Sequence, residues 1–334
     1  MSIVAPTPTA GTAGPSEPPQ SPETKLDLSG YGRSTDPVVY DVKHETIYRY
    51  SMPVTVSHHS AHLRPRSFGT QEVLNNQLMA TPLPEHRSER LDIFGNTFTS
   101  FSLSEPYETC RIISQSRVRI TPPLVPRPAT GPRWEEVAAR IGMEVGADIL
   151  DAVQFRHSSP LVTPLPEIRS YAQVSFLPRR PILDAVVDLT ARIYRDFSYD
   201  PTATTISTPL AEVMRKRAGV CQDFAHLQIA CLRSLGLAAR YVSGYVLTSM
   251  PGSDETLEGG DASHAWLSVF IPDPNIPNGG WLDVDPTNNK IVTREHITVA
   301  WGRDFDDVSP IKGVMLGGGD QSIEVDVSVT PMPL

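Results

Sequence analysis

The sequence of 334 residues carries 29 Lys plus Arg against 38 Asp plus Glu, a net charge of -9, with 40% hydrophobic and 20% charged residues. That length exceeds one average domain, and the composition is that of a folded protein rather than a disordered one. Two partner classes are excluded from expectation: no long basic run could neutralise a phosphate backbone, and no stretch of about 18 apolar residues could cross a membrane.

The opening residues, MSIVAPTPTAGTAG, lack the basic and continuous apolar regions of a signal peptide, so a cytoplasmic setting is expected. Residues 1–36 are rich in Pro, Thr, Ser and Gly and too poor in large apolar groups to offset ordering entropy, which predicts a disordered tail. From Val38 the pattern changes to short β-branched and aromatic runs, VVYDVKHETIYRY and NTFTSFSLS, which predicts an antiparallel β domain over 37–120.

A Pro-rich and helical connector is expected over 121–180. Five prolines in TPPLVPRPATGP (121–132) forbid a continuous helix there. Trp134, Val137, Ile141 and Val145 then fall at helical spacing, ahead of a second Pro-rich stretch at 160–181. Pro181 opens a stronger helix, with Ile182, Val186, Leu189, Ile193 and Phe197 on one stripe. Thr208-Pro209 reads as the start of a short helix that runs into Arg215-Lys216-Arg217 and ends at Gly219. A helix, two strands and a last alternating strand, SIEVDVSV (322–329), complete an α+β unit over 181–334. No internal repeat is evident.

Chemistry concentrates in this half. In RAGVCQDFAHLQIACLRSLG (217–236), Phe224, Leu227, Cys231, Leu232 and Leu235 mark a buried helical face, which sets Cys221 at the helix start. There the unpaired N–H groups and the helix dipole favour a thiolate. A lone cysteine is ordinarily a small core hydrophobe, and Cys231, mid-helix on the apolar stripe, reads that way. Cys110 closes a strand-like run far from this segment. Three cysteines do not make a disulfide framework.

A thiolate needs a partner that can later protonate a leaving amine, usually His. In SHAWLSVFI (263–271), Ala265, Leu267, Val269 and Ile271 form an aliphatic face, and His264 points the other way from the strand's beginning. GGWLDVDPTNNK (279–290) offers Asp283 and Asp285 on one face of a short strand, and either could orient an imidazole.

These three segments resemble, in order, the Cys, His and Asp boxes of the transglutaminase-like superfamily. The resemblance covers about 181–290 for the core. A looser one over 37–120 is similar to the N-terminal β domain of the bacterial members, and AWGRDFDDVSPIKGVMLGGG is similar to their ending. It implies a papain-like α+β fold, with a Cys-headed helix on an antiparallel sheet, in which Cys221 is the nucleophile, His264 the acid/base and Asp285 the orienting carboxylate. The chemistry implied is a cysteine protease or amidase working through a thioester on a peptide or protein substrate, without cofactor or metal. Protein-glutamine cross-linking and a non-catalytic peptide-binding module are the alternatives. A hairpin that sets Phe270 opposite Gly279 would bring His264 directly opposite Asp285 and Trp266 opposite Asp283, giving the same carboxylate by a separate route.

Other features read as structural. His58, His59 and His62 lie in a strand-like run without a Cys or carboxylate cluster, which does not make a metal site. His226 belongs to the helix of Cys221 as a packed residue. The glycines at 317–319 lack the Lys and following helix of a phosphate loop. The acidic stretch 249–262 reads as a solvated loop.

Overall fold

The computed structural model describes residues 36–124, 131–143, 146–247, 257–258 and 263–333. The expected tail, the middle of the Pro-rich linker, Val145 and nearly all of the acidic loop lie outside these residues.

The β-branched run at the start becomes one long strand, β1 (Val38–Ala61), followed by β2 (Gln71–Thr81), β3 (His86–Leu91), β4 (Thr97–Leu103) and β5 (Tyr107–Ile120). All pairs are antiparallel, in the order β2-β5-β1-β4-β3. Pro53, which has no N–H to donate, lies where the β1/β5 register jumps from Arg49↔Thr109 to Val54↔Tyr107.

The connector holds α1 (Trp134–Met143), α2 (Ala147–Val153), a 3-10 turn (Gln154–Arg156) and α3 (Pro166–Gln173). Next come α4 (Ile182–Asp196), β6 (Ser198–Tyr199), α5 (Leu210–Lys216), β7 (Ala218–Gly219) and α6 (Cys221–Ser234). Every member of the expected α4 stripe, Ile182, Val186, Leu189, Ile193 and Phe197, is buried. Proline, not threonine, caps α5, and the helix stops at Arg217 in the left-handed region (φ 54°) rather than at Gly219.

A second antiparallel sheet, ordered β11-β10-β9-β8-β12, packs against α6. Its strands are β8 (Ala239–Val246), β9 (His264–Phe270), β10 (Trp281–Asp285), β11 (Lys290–Ile291) and β12 (His296–Gly302), with a helical turn α7 (Pro277–Gly280) between β9 and β10. The expectation of a single core face on β9 is corrected here. As the middle strand it is buried on both faces, with Ala265, Leu267 and Val269 in the main core and Trp266 against Val242, Val292 and Trp301 on the other side.

After α8 (Phe305–Val308) come β13 (Ile311–Gly317) and β14 (Gln321–Met332), joined through Gly317, Gly318 and Gly319, all at positive φ. The strand expected at 322–329 forms, but not within the 181–334 unit. Both β13 and β14 pair with β1 of the first sheet, from Ala61↔Ile311 to Val39↔Met332. The reason is the length of β1: residues 38–49 pair with β5 and residues 57–61 with β4, which leaves a second edge of hydrogen-bonding groups for the end of the chain. The expected apolar face of β14 is only partly covered, since Val327 is buried while Ile323 and Val325 are exposed.

Where the two sheets meet, the Trp301 indole has the Arg66 guanidinium 3.6 Å from its ring centre and the Arg240 guanidinium 3.6 Å away as well, which places them on opposite faces. Arg240 also lies 4.1 Å from the Trp281 ring. Burial pushes the Arg240 guanidinium down to about 9, against the charge of Asp283.

Candidate active site

The position of Cys221 follows from the turn that precedes it. Arg217 reverses the chain, and Ala218 and Gly219 pair in parallel with Ser198 and Tyr199. Gly219 must be glycine because a Cβ there would lie 2.5 Å from Asp223 Oδ2. Asp223, third in α6, accepts from the Val220 N–H at 2.9 Å and from the Thr204 hydroxyl at 2.5 Å, which ties the helix start to the preceding loop. Cys221 is therefore the first residue of α6, and its side chain keeps partial solvent access.

His264 opens β9 and lies opposite Gly244 on β8. A Cβ at residue 244 would fall 2.1 Å from the Ile297 carbonyl oxygen and 2.5 Å from the Trp266 ring, so glycine lets β8 and β12 close behind the imidazole. His264 Nε2 donates to Asp285 Oδ2 at 2.8 Å, and both side chains are fully buried. Among the described residues its Nδ1 has no hydrogen-bond partner, and the Cys221 thiol lies near enough to act on the imidazole. Burial works against a charged imidazole, yet the Asp285 charge and hydrogen bond, and then the Cys221 sulfur, outweigh it and hold the His264 pKa well above the usual histidine range. Asp285 is held well below the usual carboxylate range: burial opposes this, and the His264 charge and the two imidazole hydrogen bonds prevail.

Asp285 accepts five hydrogen bonds. Oδ1 takes the backbone N–H groups of Thr287 (2.9 Å) and Asn288 (3.2 Å); Oδ2 takes Asn288 Nδ2 (2.7 Å), His264 Nε2 (2.8 Å) and His296 Nε2 (2.9 Å). Asp283 turns to other partners, accepting from the Ser268 hydroxyl and from Trp266 Nε1 at 3.4 Å. The structure thus brings Cys221, His264 and Asp285 together and keeps Asp283 off the imidazole.

The register differs from expectation. Trp281, not Gly279, lies opposite Phe270, so the ladder runs Asp283↔Ser268 and Val284↔Leu267. Asp285 continues it beside Trp266 and reaches His264 on the diagonal.

His264, Asp285 and His296 are the group of candidate metal ligands among the described residues. Both imidazoles address the same carboxylate oxygen at hydrogen-bond distance, with Asn288 as a third donor. A bound ion would stand about 2.0–2.2 Å from each ligand atom, in place of those hydrogen bonds. The donor set fits a carboxylate saturated by N–H groups.

The remaining candidates behave structurally. Cys110 and Cys231 are buried, which pushes their thiols up to about 11 and about 12. His226 Nε2 accepts from the Phe305 N–H at 3.1 Å. His58 and His59 bond Ser102 and Ser57, whereas His62 meets a carboxylate after all, Asp92 at 3.2 Å. Within the acidic loop, the Glu258 N–H donates to Asn288 Oδ1 at 2.8 Å. Sequence reasoning missed Asp223, Asn288 and His296. Asp223 had a signal, a carboxylate three residues after a helix cap; His296 had none beyond its place at the head of a strand.

Residues 40–119 match the family described as the bacterial transglutaminase-like N-terminal region, and residues 171–286 match the transglutaminase-like superfamily. An uncharacterized protein of Mycobacterium tuberculosis is 40% identical over 308 residues, covering 92% of this chain and 95% of the relative. One of Mycobacterium leprae is 32% identical over 294 residues, covering 86% and 97%. A candidate cysteine protease from Cytophaga hutchinsonii has a similar fold, with a TM-score of 0.69 at 20% identity over 90% of this chain and 92% of its own.

Proposed function

The chain belongs to the transglutaminase-like superfamily, and from that premise we propose that it is a cysteine-dependent amide-bond hydrolase with Cys221, His264 and Asp285 as its triad. The observation that carries this reading is the disposition of His264: Nε2 is held by Asp285 at 2.8 Å, Nδ1 has no partner among the described residues, and the thiol at the head of α6 acts on the same ring.

The Cys221 thiolate attacks the carbonyl carbon of a carboxamide. The C–N bond of the tetrahedral adduct breaks as the imidazolium of His264 gives its proton to the departing amine, leaving a thioester. Water then adds to the thioester, His264 takes a proton from it, and the C–S bond breaks to release the acid. As the first helical residue, Cys221 offers its backbone N–H to the oxyanion. Asp285 stays ionised throughout and keeps Nε2 protonated, so that Nδ1 does the proton work.

Water is the assigned acceptor because the thiol keeps solvent access, so a thioester formed on it is open to hydrolysis. The free state of all three cysteines suits the reducing cytoplasm that we assign to the protein.

The test is intact-mass analysis of a peptide library incubated with the protein, with and without an added primary amine. Cleavage or deamidation that is unchanged by the amine supports hydrolysis. Incorporation of the amine would replace this reading with transamidation. Absence of both reactions, with a folded protein and varied peptides, would leave a peptide-binding module.

A further inference from the structure

Asp285 is more heavily hydrogen-bonded than an orienting carboxylate requires. Two backbone N–H groups fix Oδ1 and the Asn288 amide helps to fix Oδ2, so the orientation is set before any imidazole is counted. A second histidine, at the head of β12, nevertheless directs Nε2 to Oδ2 at 2.9 Å, fully buried, with its ring 5.7 Å from that of His264.

We infer that His296 is a positioning residue which, by donating to the same carboxylate oxygen as His264, limits how strongly Asp285 retains the proton of His264. The inference rests on the triad proposed above. An imidazolium held by a buried carboxylate is a reluctant acid, yet amide cleavage requires it to give its proton to the leaving amine. A donor on the shared oxygen draws off part of the negative charge, whether that donor is neutral or cationic, and the sign is the same in both cases.

Among the described residues, the following charged and titratable groups face the pair. His264 faces Asp285 from β10 and Cys221 from α6. His296 faces Asp285 and Asp283 from β10, and its neighbour Glu295 bonds Thr293 and lies 3.9 Å from Lys290. Asp283 is opposed by Arg240. The His296 ring also meets the Trp266 indole, edge-on at 5.0 Å, a contact that any flat side chain could make.

The experiment is the pH profile of Cys221 alkylation by iodoacetamide in the full chain, comparing the unsubstituted protein with His296→Gln, His296→Phe and His296→Leu. Glutamine keeps an N–H at the place of Nε2; phenylalanine and leucine do not. Without the donor, Asp285 holds the His264 proton more tightly and the thiolate-imidazolium pair persists to higher pH. The alkaline inflection of the alkylation profile, where the imidazolium loses its proton, is expected to rise by about one pH unit in the Phe and Leu variants. It should stay in place in His296→Gln. A purely structural role would lower the thermal midpoint and leave that inflection where it was or move it downward, and that result overturns the inference. Nitrogen-15 spectra of the unsubstituted protein need no variant to fold: both Nε2 atoms should be protonated at neutral pH, and a bare His296 Nε2 would also overturn it. If Cys221 in the unsubstituted protein is no more reactive than Cys110 and Cys231, the proposed triad itself fails. If it is more reactive and the alkaline inflection does not move, only the role of His296 fails.

Discussion

His264 and Asp285 meet along a diagonal of the sheet, Nε2 to Oδ2 at 2.8 Å, and not as a directly opposed pair. The contact survives a two-residue difference in register because Asp285 closes its strand, where the following Thr287 and Asn288 fold back and aim its carboxylate along the sheet.

Asp285→Ala should therefore reduce Cys221-dependent turnover at least about 100-fold while the protein stays folded. Asp283→Ala should act on stability instead. It removes the carboxylate that faces buried Arg240 and that Ser268 and Trp266 bond, at a cost on the order of 3 kcal/mol. Thermal melts and iodoacetamide labelling of both variants separate the two effects, and a greater loss of labelling in folded Asp283→Ala would reverse the assignment.

Near neutral pH, iodoacetamide should modify Cys221 well before Cys110 or Cys231. The latter two are buried, with thiols pushed up to about 11 and about 12, whereas Cys221 has partial access and an imidazole beside it. Peptide mapping after brief labelling reads the order directly, and equal modification of all three in the native state counts against the nucleophile.

Gly219→Ala should impair the site without touching the triad. The new methyl would press on Asp223 Oδ2 at 2.5 Å and on its Cβ at 2.9 Å, so the cap that holds the start of α6 must move. A loss of roughly 1–3 kcal/mol in stability and slower Cys221 labelling are expected. Unchanged labelling would show that the turn does not position the thiol.

Acid should destabilise the fold well above the range where carboxylates titrate. Burial depresses His44, His59 and His226 to about 4. The unfolded chain, with imidazoles near 6.5, binds protons that the folded chain refuses, so stability is lost as pH falls from about 6.5 to about 4. With three such groups the slope approaches about 4 kcal/mol per pH unit. His264 has the opposite sign: raised in the fold, it contributes fully below its unfolded value and loses that contribution as pH rises through its folded one. Urea midpoints at pH 7, 6 and 5 test the acid side, and a flat series would refute it.

Where the chemistry was legible in the sequence, it was local. The helix start at Cys221 shows in the apolar spacing that follows it, and the Asp-Pro-Thr turn shows in its own residues. Register did not show, because it depends on the loop. Asn278, Gly279 and Gly280 all take positive φ, which brings the Ile271 N–H to the Gly280 carbonyl at 2.7 Å and shifts the ladder by two residues. The placement of β14 was equally hidden, since Ile323, Val325 and Val327 alternate in the same way on whichever sheet they join. His296 is silent for a similar reason: only the β8/β12 pairing carries it to Asp285.

The return of β14 to β1 sets how the molecule answers a mechanical load. Val39 lies beside Met332 and Tyr50 beside Gln321, so the two ends of the described chain emerge side by side from one antiparallel pair. Tension applied between them loads the inter-strand hydrogen bonds singly from one end, in the manner of a zipper, and not together in shear. Such a protein should open at low force by peeling β14, while Cys221, His264 and Asp285, on elements that bear none of that tension, remain assembled as β14 and then β13 are stripped from β1.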